Sequence, residues 1–446
     1  MTRLLAYALA LALSSQAVFA APEKCNPGKK CPESSPCCSQ YGECGSGAYC
    51  LGGCDAKSSF AIDSCVPAPA CKSKKFTWDN LDSIVPNTKY LGDAEKADWV
   101  SSGQPLSNDG TLLLTMAPGT VGTLLAYNHY LWYGKVSARL KTSRGKGVVT
   151  AFILLSDVKD EVDFEFVGAD LVTAQTNYYF QGVTDYTNGK NQSLSDTFSE
   201  YHTYEIDWTP DQITWGIDGK PVRVTKRSDT FNKTSNQYAF PQSPTRVQLS
   251  LWPAGLPSNQ PGTINWGGGL VDWKHEDITR HGYYYATFDE VTIECYNPPK
   301  NTKTEGSKSY VLTDLKGTED AFKITDQDTT LKSFLGNGRN MSADYPSASG
   351  SNKPAQSSHI AVIPGLTGAG PGADANRGQD GNNNNNNGGG SGGSPGNGGN
   401  SRPNPGDFSQ GGSPSDKKSG ASPQGEKVLT GSLFAVLVAL VVLVAM

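Results

Sequence analysis

Asp160-Glu161-Val162-Asp163-Phe164-Glu165-Phe166-Val167 reads as a β-strand with a period of two. Side chains alternate faces along a strand, so Glu161, Asp163 and Glu165 share one side while Val162, Phe164 and Phe166 point into a core. Like charges side by side cost about 0.2–1 kcal/mol per pair, and no Lys or Arg is interleaved to offset them. Such a strand suits chemistry that needs two carboxyl groups close together. In glycoside cleavage a nucleophile attacks the anomeric carbon while an acid of raised pKa protonates the leaving oxygen. Cα atoms four residues apart on a strand are about 13 Å apart, and two leaning Glu side chains recover roughly half of that, near the ~5–5.5 Å of a retaining enzyme. Asp163 between them can share a proton with one Glu and hold the two pKa values apart. The spacing fits equally a solvated acidic strand or a set of calcium ligands, and it does not say which Glu attacks.

Outward from this strand run short apolar or alternating stretches broken by turn signals: Val148–Leu155, Asn177–Phe180, Thr203–Trp208, Ile213–Ile217, Val247–Trp252 and Thr287–Tyr296. Their length and their Val, Ile, Thr, Tyr and Trp content predict an all-β sandwich over about 72–300. Asp218-Gly219, between Ile213–Ile217 and Val222–Thr225, reads as a two-residue hairpin turn. No long helical pattern competes, and there is no GxGxxG, Walker loop or GxSxG.

The rest of the 446 residues is uneven: nine of the ten cysteines fall between Cys25 and Cys71, and residues 381–400 contain only Gly, Asn, Ser and Pro. A net charge of −5 without a basic stripe argues against a nucleic-acid partner. Five scattered histidines without HExxH or CxxC predict no metal, and no cofactor is expected. Arg3, the apolar run Leu4–Leu13 and the small-residue site Val18-Phe19-Ala20 predict a secretory signal over 1–20. The apolar tail at 426–446 has no basic residue after it and follows Ser419-Gly420-Ala421, the pattern of a GPI-attachment signal with Ser419 or a neighbour as the anchor site. A single-pass membrane helix is the alternative. Sequons at Asn191, Asn232 and Asn340 agree with passage through the secretory pathway. Residues 366–425 are too polar and Gly-rich to bury a core and predict a disordered stalk, with a root-mean-square reach of roughly 40 Å. Between stalk and sandwich, 301–365 reads as a poorly defined extension without apolar periodicity.

The odd number of clustered cysteines leaves one to pair elsewhere or stay free, and Cys295 is the sole partner outside the cluster. Four bridges within Cys25–Cys65 plus Cys71–Cys295 are expected, the last tying the start of the sandwich to its end.

Asp160–Glu165 resembles the DEhDhE signature of glycoside hydrolase family 16. Tyr133-Gly134-Lys135-Val136, Gly147–Asp157 and Ser250-Leu251-Trp252-Pro253-Ala254-Gly255 resemble its fungal cell-wall branch, the Crh transglycosylases. By that resemblance the fold is a concanavalin-like β-jelly roll with a long open cleft. Glu161 is the nucleophile, Glu165 the acid/base and Asp163 the assisting carboxylate. The resemblance also implies Trp252 as a stacking platform and Thr263 and Arg223 as sugar contacts; ordinary core filling is the other reading of Trp252, as for several of Trp78, Trp99, Trp132, Trp208, Trp215, Trp266 and Trp273. Cys37–Cys50, in the module at 22–71, resembles the hevein-type chitin-binding scaffold, carbohydrate-binding family 18. Ser39, Tyr41 and Tyr49 match its sugar-gripping positions, but Glu43 stands where another aromatic belongs, so a structural or weak docking role is an equal expectation. The resemblance implies a secreted, GPI-anchored chitin–glucan transglycosylase with a chitin donor and a β-1,3/β-1,6-glucan acceptor, touching membrane only through its lipid. A retaining endo-hydrolase of chitin or β-glucan and a non-catalytic wall lectin are the alternatives.

Overall fold

The computed structural model describes residues 22–183 and 185–346. The signal at 1–20, the stalk at 366–425 and the tail at 426–446 lie outside the described residues. Two eight-stranded sheets face each other across one core. One sheet runs in the spatial order Lys190–Ser193, Thr173–Tyr179, Glu161–Val167, Val148–Ser156, Thr245–Pro253, Thr123–Tyr127, Trp99–Ser102 and Ile84–Pro86. The other is centred on Gly134–Lys141 and Tyr284–Cys295, flanked by His202–Trp208, Gln212–Ile217 and Lys220–Lys226 on one side and by Thr111–Met116 on the other. Phe152, Leu154, Val162, Phe164 and Phe166 from the first sheet pack against Val136, Ala138, Tyr204, Ile206 and Trp208 from the second, all essentially inaccessible. That core holds the opposite face of the first sheet outward. The Asp218-Gly219 hairpin has both residues at positive φ (50° and 73°), as a two-residue turn matching strand twist requires.

Six strands between residues 84 and 141 escape the sequence reading, among them Trp99–Ser102, Thr111–Met116 and Thr123–Tyr127. Thr111–Met116 and Thr123–Tyr127 are buried at nearly every position, so they carry no alternation to betray them. The extension also differs from expectation, because it is ordered as far as residue 346. Lys303–Thr304, Ser309–Leu312 and Phe322–Thr325 form a sheet with Ala68–Pro69 of the cysteine-rich segment. Tyr310 and Phe322 close edge-on against Trp132. Its apolar residues are few because it adds one thin layer to a core already built.

All five disulfides follow the expected partition: Cys25–Cys38, Cys31–Cys44, Cys37–Cys50 and Cys54–Cys65 within the module, and Cys71–Cys295 across 224 residues. The module is docked on the same face of the first sheet that carries the carboxylates. Register pairs place Leu124, Ala126, Val100 and Ser102 on that face, and these line a crevice with Ser39, Gln40, Tyr41 and Gly52. The Gly53 N–H donates to the Asp157 carboxylate (2.8 Å), and Arg246 Nη2 donates to Gln40 Oε1 (3.2 Å). A Cβ at Gly52 would stand 2.4 Å from the Arg246 guanidinium, so only glycine allows this approach. From the far side, residues 331–341 strap the module down: Gly47 N–H reaches the Gly336 carbonyl (2.7 Å), and Leu331 and Met341 join Tyr49 and Leu51 in a satellite core. The long open cleft implied by resemblance is therefore roofed at one end.

Removing the Cys71–Cys295 link with paired serine substitutions is expected to cost about 2–4 kcal/mol, since it closes a long loop of the unfolded chain. Urea or thermal unfolding of Cys71→Ser/Cys295→Ser checks this; an unchanged midpoint would contradict it.

Candidate active site

The carboxylate strand Glu161–Val167 sits third from its sheet edge, hydrogen-bonded on both sides. A tight connection from Val148–Ser156 feeds it. Lys159 takes a left-handed φ of 72°, and the Asp160 N–H donates to Ser156 Oγ (2.8 Å). The fully buried Asp160 carboxylate accepts from the N–H groups of Gln181, Gln242 and Ser243 and from the Ser243 hydroxyl, at 2.6–3.0 Å. Burial pushes its pKa up to about 6, with the four hydrogen bonds pulling the other way. The first residue of the acidic run is thus a clamp that fixes where the strand begins, a role the alternation does not reveal.

Glu161, Asp163 and Glu165 share the outward face, opposite Tyr179, Asn177 and Gln175 on the neighbouring strand. Asp163 is 1% exposed, and neither carboxylate oxygen accepts a hydrogen bond of ordinary geometry. Burial, reinforced by the charges of Glu165 and Glu161, holds its pKa well above the usual carboxyl range, against smaller opposing effects of Arg223 and the Asn177 N–H. Burial raises Glu161 to about 7, and the Lys159 ammonium limits that rise. Glu165 is raised further, to about 8, first by burial and then by the charge on Glu161. Both glutamates therefore hold a proton more tightly than an exposed carboxyl does. Lys159 Nζ is itself buried without a hydrogen-bond partner, and sequence reasoning gave it no part.

Asp163 and Glu165 open into a cavity of about 570 Å³, walled by Gln175, Asn177, Trp252, Thr263 and Trp266. Trp252 and Trp266 stack at 5.9 Å with planes 26° apart, and Trp266 Nε1 donates to Gln175 Oε1 (2.8 Å). Trp252 is almost wholly buried, so Trp266, grouped by the sequence with core-filling tryptophans, is the more accessible ring of the pair. Thr263 lies in the short helix Pro261–Trp266. Glycines bring that helix to the sheet: a Cβ at Gly255 would lie 2.3 Å from the Gly269 carbonyl oxygen. Asn191, the first sequon, also lines this cavity.

Arg223 is not among the residues lining the cavity. Its guanidinium donates to the carbonyls of Thr176 and Asn188 (both 2.7 Å) and stacks over Trp215, 4.3 Å from the ring centre. It stands behind the strand as a charge. The module's three candidate residues are likewise turned inward. Ser39 Oγ accepts from the Tyr41 and Glu43 N–H groups, Tyr49 is 2% exposed against the satellite core, and Tyr41 lines the crevice facing the sheet. Glu43 is 1% exposed and pairs with Lys24 (2.8 Å).

A β-sandwich with carboxyl groups side by side on one outward strand face, opening into a tryptophan-lined cavity, is the arrangement of a carbohydrate-cleaving site. Residues 93–268 match the profile of glycosyl hydrolases family 16. Crh-like protein 2 of Aspergillus fumigatus is 56% identical over 345 residues, covering 76% of this chain and 78% of that protein. Congo red hypersensitive protein 2 of Saccharomyces cerevisiae is 48% identical over 320 residues, covering 70% and 68% respectively. Among solved structures, a Crh5 transglycosylase in complex with NAG aligns at 31% identity and a TM-score of 0.48, over 58% of this chain and 97% of that one. The chain belongs to glycosyl hydrolases family 16, among its Crh-like proteins.

The raised carboxyls make the site a stability liability with a defined pH window. Between the ordinary value of 4.5 and about 8, the folded protein holds protons that the unfolded chain has released, so stability falls as pH rises through that window and is recovered below it. Glu165→Gln is expected to melt higher than the wild type above pH about 8, with the gap closing below about 4.5; a pH-independent difference in melting temperature would refute this.

Proposed function

We propose that the protein is a cell-wall transglycosylase that cleaves chitin with retention of configuration and joins the fragment to β-glucan. The observation that carries this reading is the row of Glu161, Asp163 and Glu165 on one outward strand face, with Asp163 and Glu165 opening into a cavity walled by Trp252 and Trp266. A Glu161 carboxylate oxygen attacks the anomeric carbon. As the glycosidic C–O bond breaks, the leaving oxygen takes the proton held by Glu165. An acceptor hydroxyl then attacks the same carbon, returns its proton to Glu165 and releases Glu161. Asp163, unable to ionise readily between two like charges, keeps a proton to share with the glutamates and steadies Glu161 as charge leaves it. Trp252 and Trp266 form the stacking surface for a sugar ring, and Thr263 contributes a polar contact beside them. Arg223 acts through Asp163 as a positive charge behind the strand.

Transfer outweighs hydrolysis in this reading because the chain is one of the Crh-like proteins, and because exchanging one glycosidic bond for another needs no external energy source. The leader and tail patterns support secretion and a GPI anchor, with the low-complexity segment as a tether within the wall. The module serves as a docked part of the catalytic unit in preference to a free chitin-binding arm, given the burial of Ser39 and Tyr49.

Incubation with chitotetraose and a fluorescent β-glucan oligosaccharide is expected to give labelled products of higher mass than the acceptor. Shorter sugars alone would favour the endo-hydrolase, and binding without turnover the lectin. Glu161→Gln is expected to lower transfer by about 10³-fold or more, and a variant with full activity would refute the assignment of the nucleophile. In kcat/KM the ascending limb should follow ionisation of Glu161 near 7 and the descending limb deprotonation of Glu165 near 8. Lys159→Met should move the ascending limb to higher pH; an unmoved limb would remove Lys159 from the account.

A further inference from the structure

The three sequons, all exposed, differ in their surroundings. Asn232 lies in the short hairpin strand Phe231–Asn232 and Asn340 in the strap at 331–341. Asn191 instead lines the cavity into which Asp163 and Glu165 open. Register explains why. Glu165 is level with Gln175 on the next strand, and Gln175 is level with Asn191 on the strand after that. Residues level with one another point to the same face, so Asn191 faces the way Glu165 does, two strand spacings or about 10 Å away. Lys190–Ser193 is at the edge of its sheet, so among the described residues no further strand of that sheet lies beyond Asn191. Gln175, between the two, accepts the Trp266 indole N–H (2.8 Å), which sets the more accessible ring of the tryptophan pair beside the same spot.

Asn191-Gln192-Ser193 is an acceptor triplet for N-glycosylation. We propose that Asn191 carries an N-linked glycan whose stem stands in the mouth of the cavity and competes with the polysaccharide entering it. The inference rests on passage through the secretory pathway, where the oligosaccharide donor is a lipid diphosphate. Asn191 Nδ2 bonds to C1 of the first N-acetylglucosamine, the C1–O bond to the diphosphate breaks, and the amide gives up one proton as the lipid diphosphate leaves. The stem of such a glycan begins with β-1,4-linked N-acetylglucosamine, whose C–H faces suit the Trp266 ring as an incoming sugar does. A ligand tethered this closely acts at an effective concentration in the mM range, whatever the concentration of protein. The catalytic groups themselves are untouched, so the consequence is a raised KM at an unchanged kcat.

The test uses the full chain secreted from a eukaryotic host, with peptide mass mapping of all three sequons. Asn191 should carry glycan. Ser193→Ala removes the sequon and leaves the Asn191 side chain in place, whereas Ser193→Thr keeps the sequon. Ser193→Ala should lower KM about threefold for the chitotetraose donor, the β-glucan acceptor or both, with kcat within about twofold and a similar melting temperature. Ser193→Thr should behave as the wild type, and Asn232→Gln, which removes a glycan far from the cavity, should leave KM and kcat as they were. A bare Asn191 in a secreted protein overturns the inference and leaves the secretory reading standing. Glycan at Asn191 with both KM values unchanged in Ser193→Ala overturns it as well. A fall in kcat together with a lowered melting temperature assigns the glycan to folding and also overturns it. A protein that is not secreted and carries no glycan at any sequon overturns both readings.

Discussion

Three carboxyl groups, two residues apart along one strand, stand side by side with no cation at hydrogen-bond distance, Asp163 wholly withdrawn from water and Glu161 and Glu165 half-buried. Isolated, such an array would ionise and push the strand apart or draw water over it. It persists because its backbone is fixed from every direction. The strand is paired on both edges, its inward Val162, Phe164 and Phe166 are locked in the main core, and Asp160 anchors its start with four hydrogen bonds. Burial raises both Glu161 and Glu165 above the usual carboxyl range, with the charge on Glu161 adding to the rise at Glu165 and the Lys159 ammonium limiting it at Glu161.

The surroundings serve the same end. Glycine contacts between Gly147, Gly255 and Gly269 bring the helix Pro261–Trp266 close enough to set two tryptophans beside Glu165. On the opposite side the cysteine-rich module excludes water from the sheet, held by its disulfides, by Arg246 and Asp157, and by the strap at 331–341. A chain segment of so few apolar residues could not hold that position from its own core alone. Cys71–Cys295 joins the module's exit to the last long strand.

Much of this was legible in the sequence. Period-two alternation located the carboxylate strand, the turn chemistry of Asp218-Gly219 located a hairpin, and the odd cysteine count pointed to Cys295. Strands buried on both faces, such as Thr123–Tyr127, were missed because they lack alternation. Relations between distant segments were also hidden. Nothing in the local sequence tells that Ser39 and Tyr49 turn inward, that residues 301–346 wrap back over the module, or that Arg223 faces Trp215. Trp252 was found through its motif, while Trp266, which has no motif of its own, was grouped with core residues.

The central claim is that Glu161 bonds covalently to the anomeric carbon while Glu165 supplies the proton. Its most direct test is the mass of the protein after incubation with a 2-deoxy-2-fluoro glycosyl donor bearing an activated leaving group, which slows release of a glycosyl-enzyme more than its formation. The account expects one added glycosyl unit, mapped by peptide digestion to Glu161. No adduct, or an adduct on Asp163 or Glu165, would contradict it.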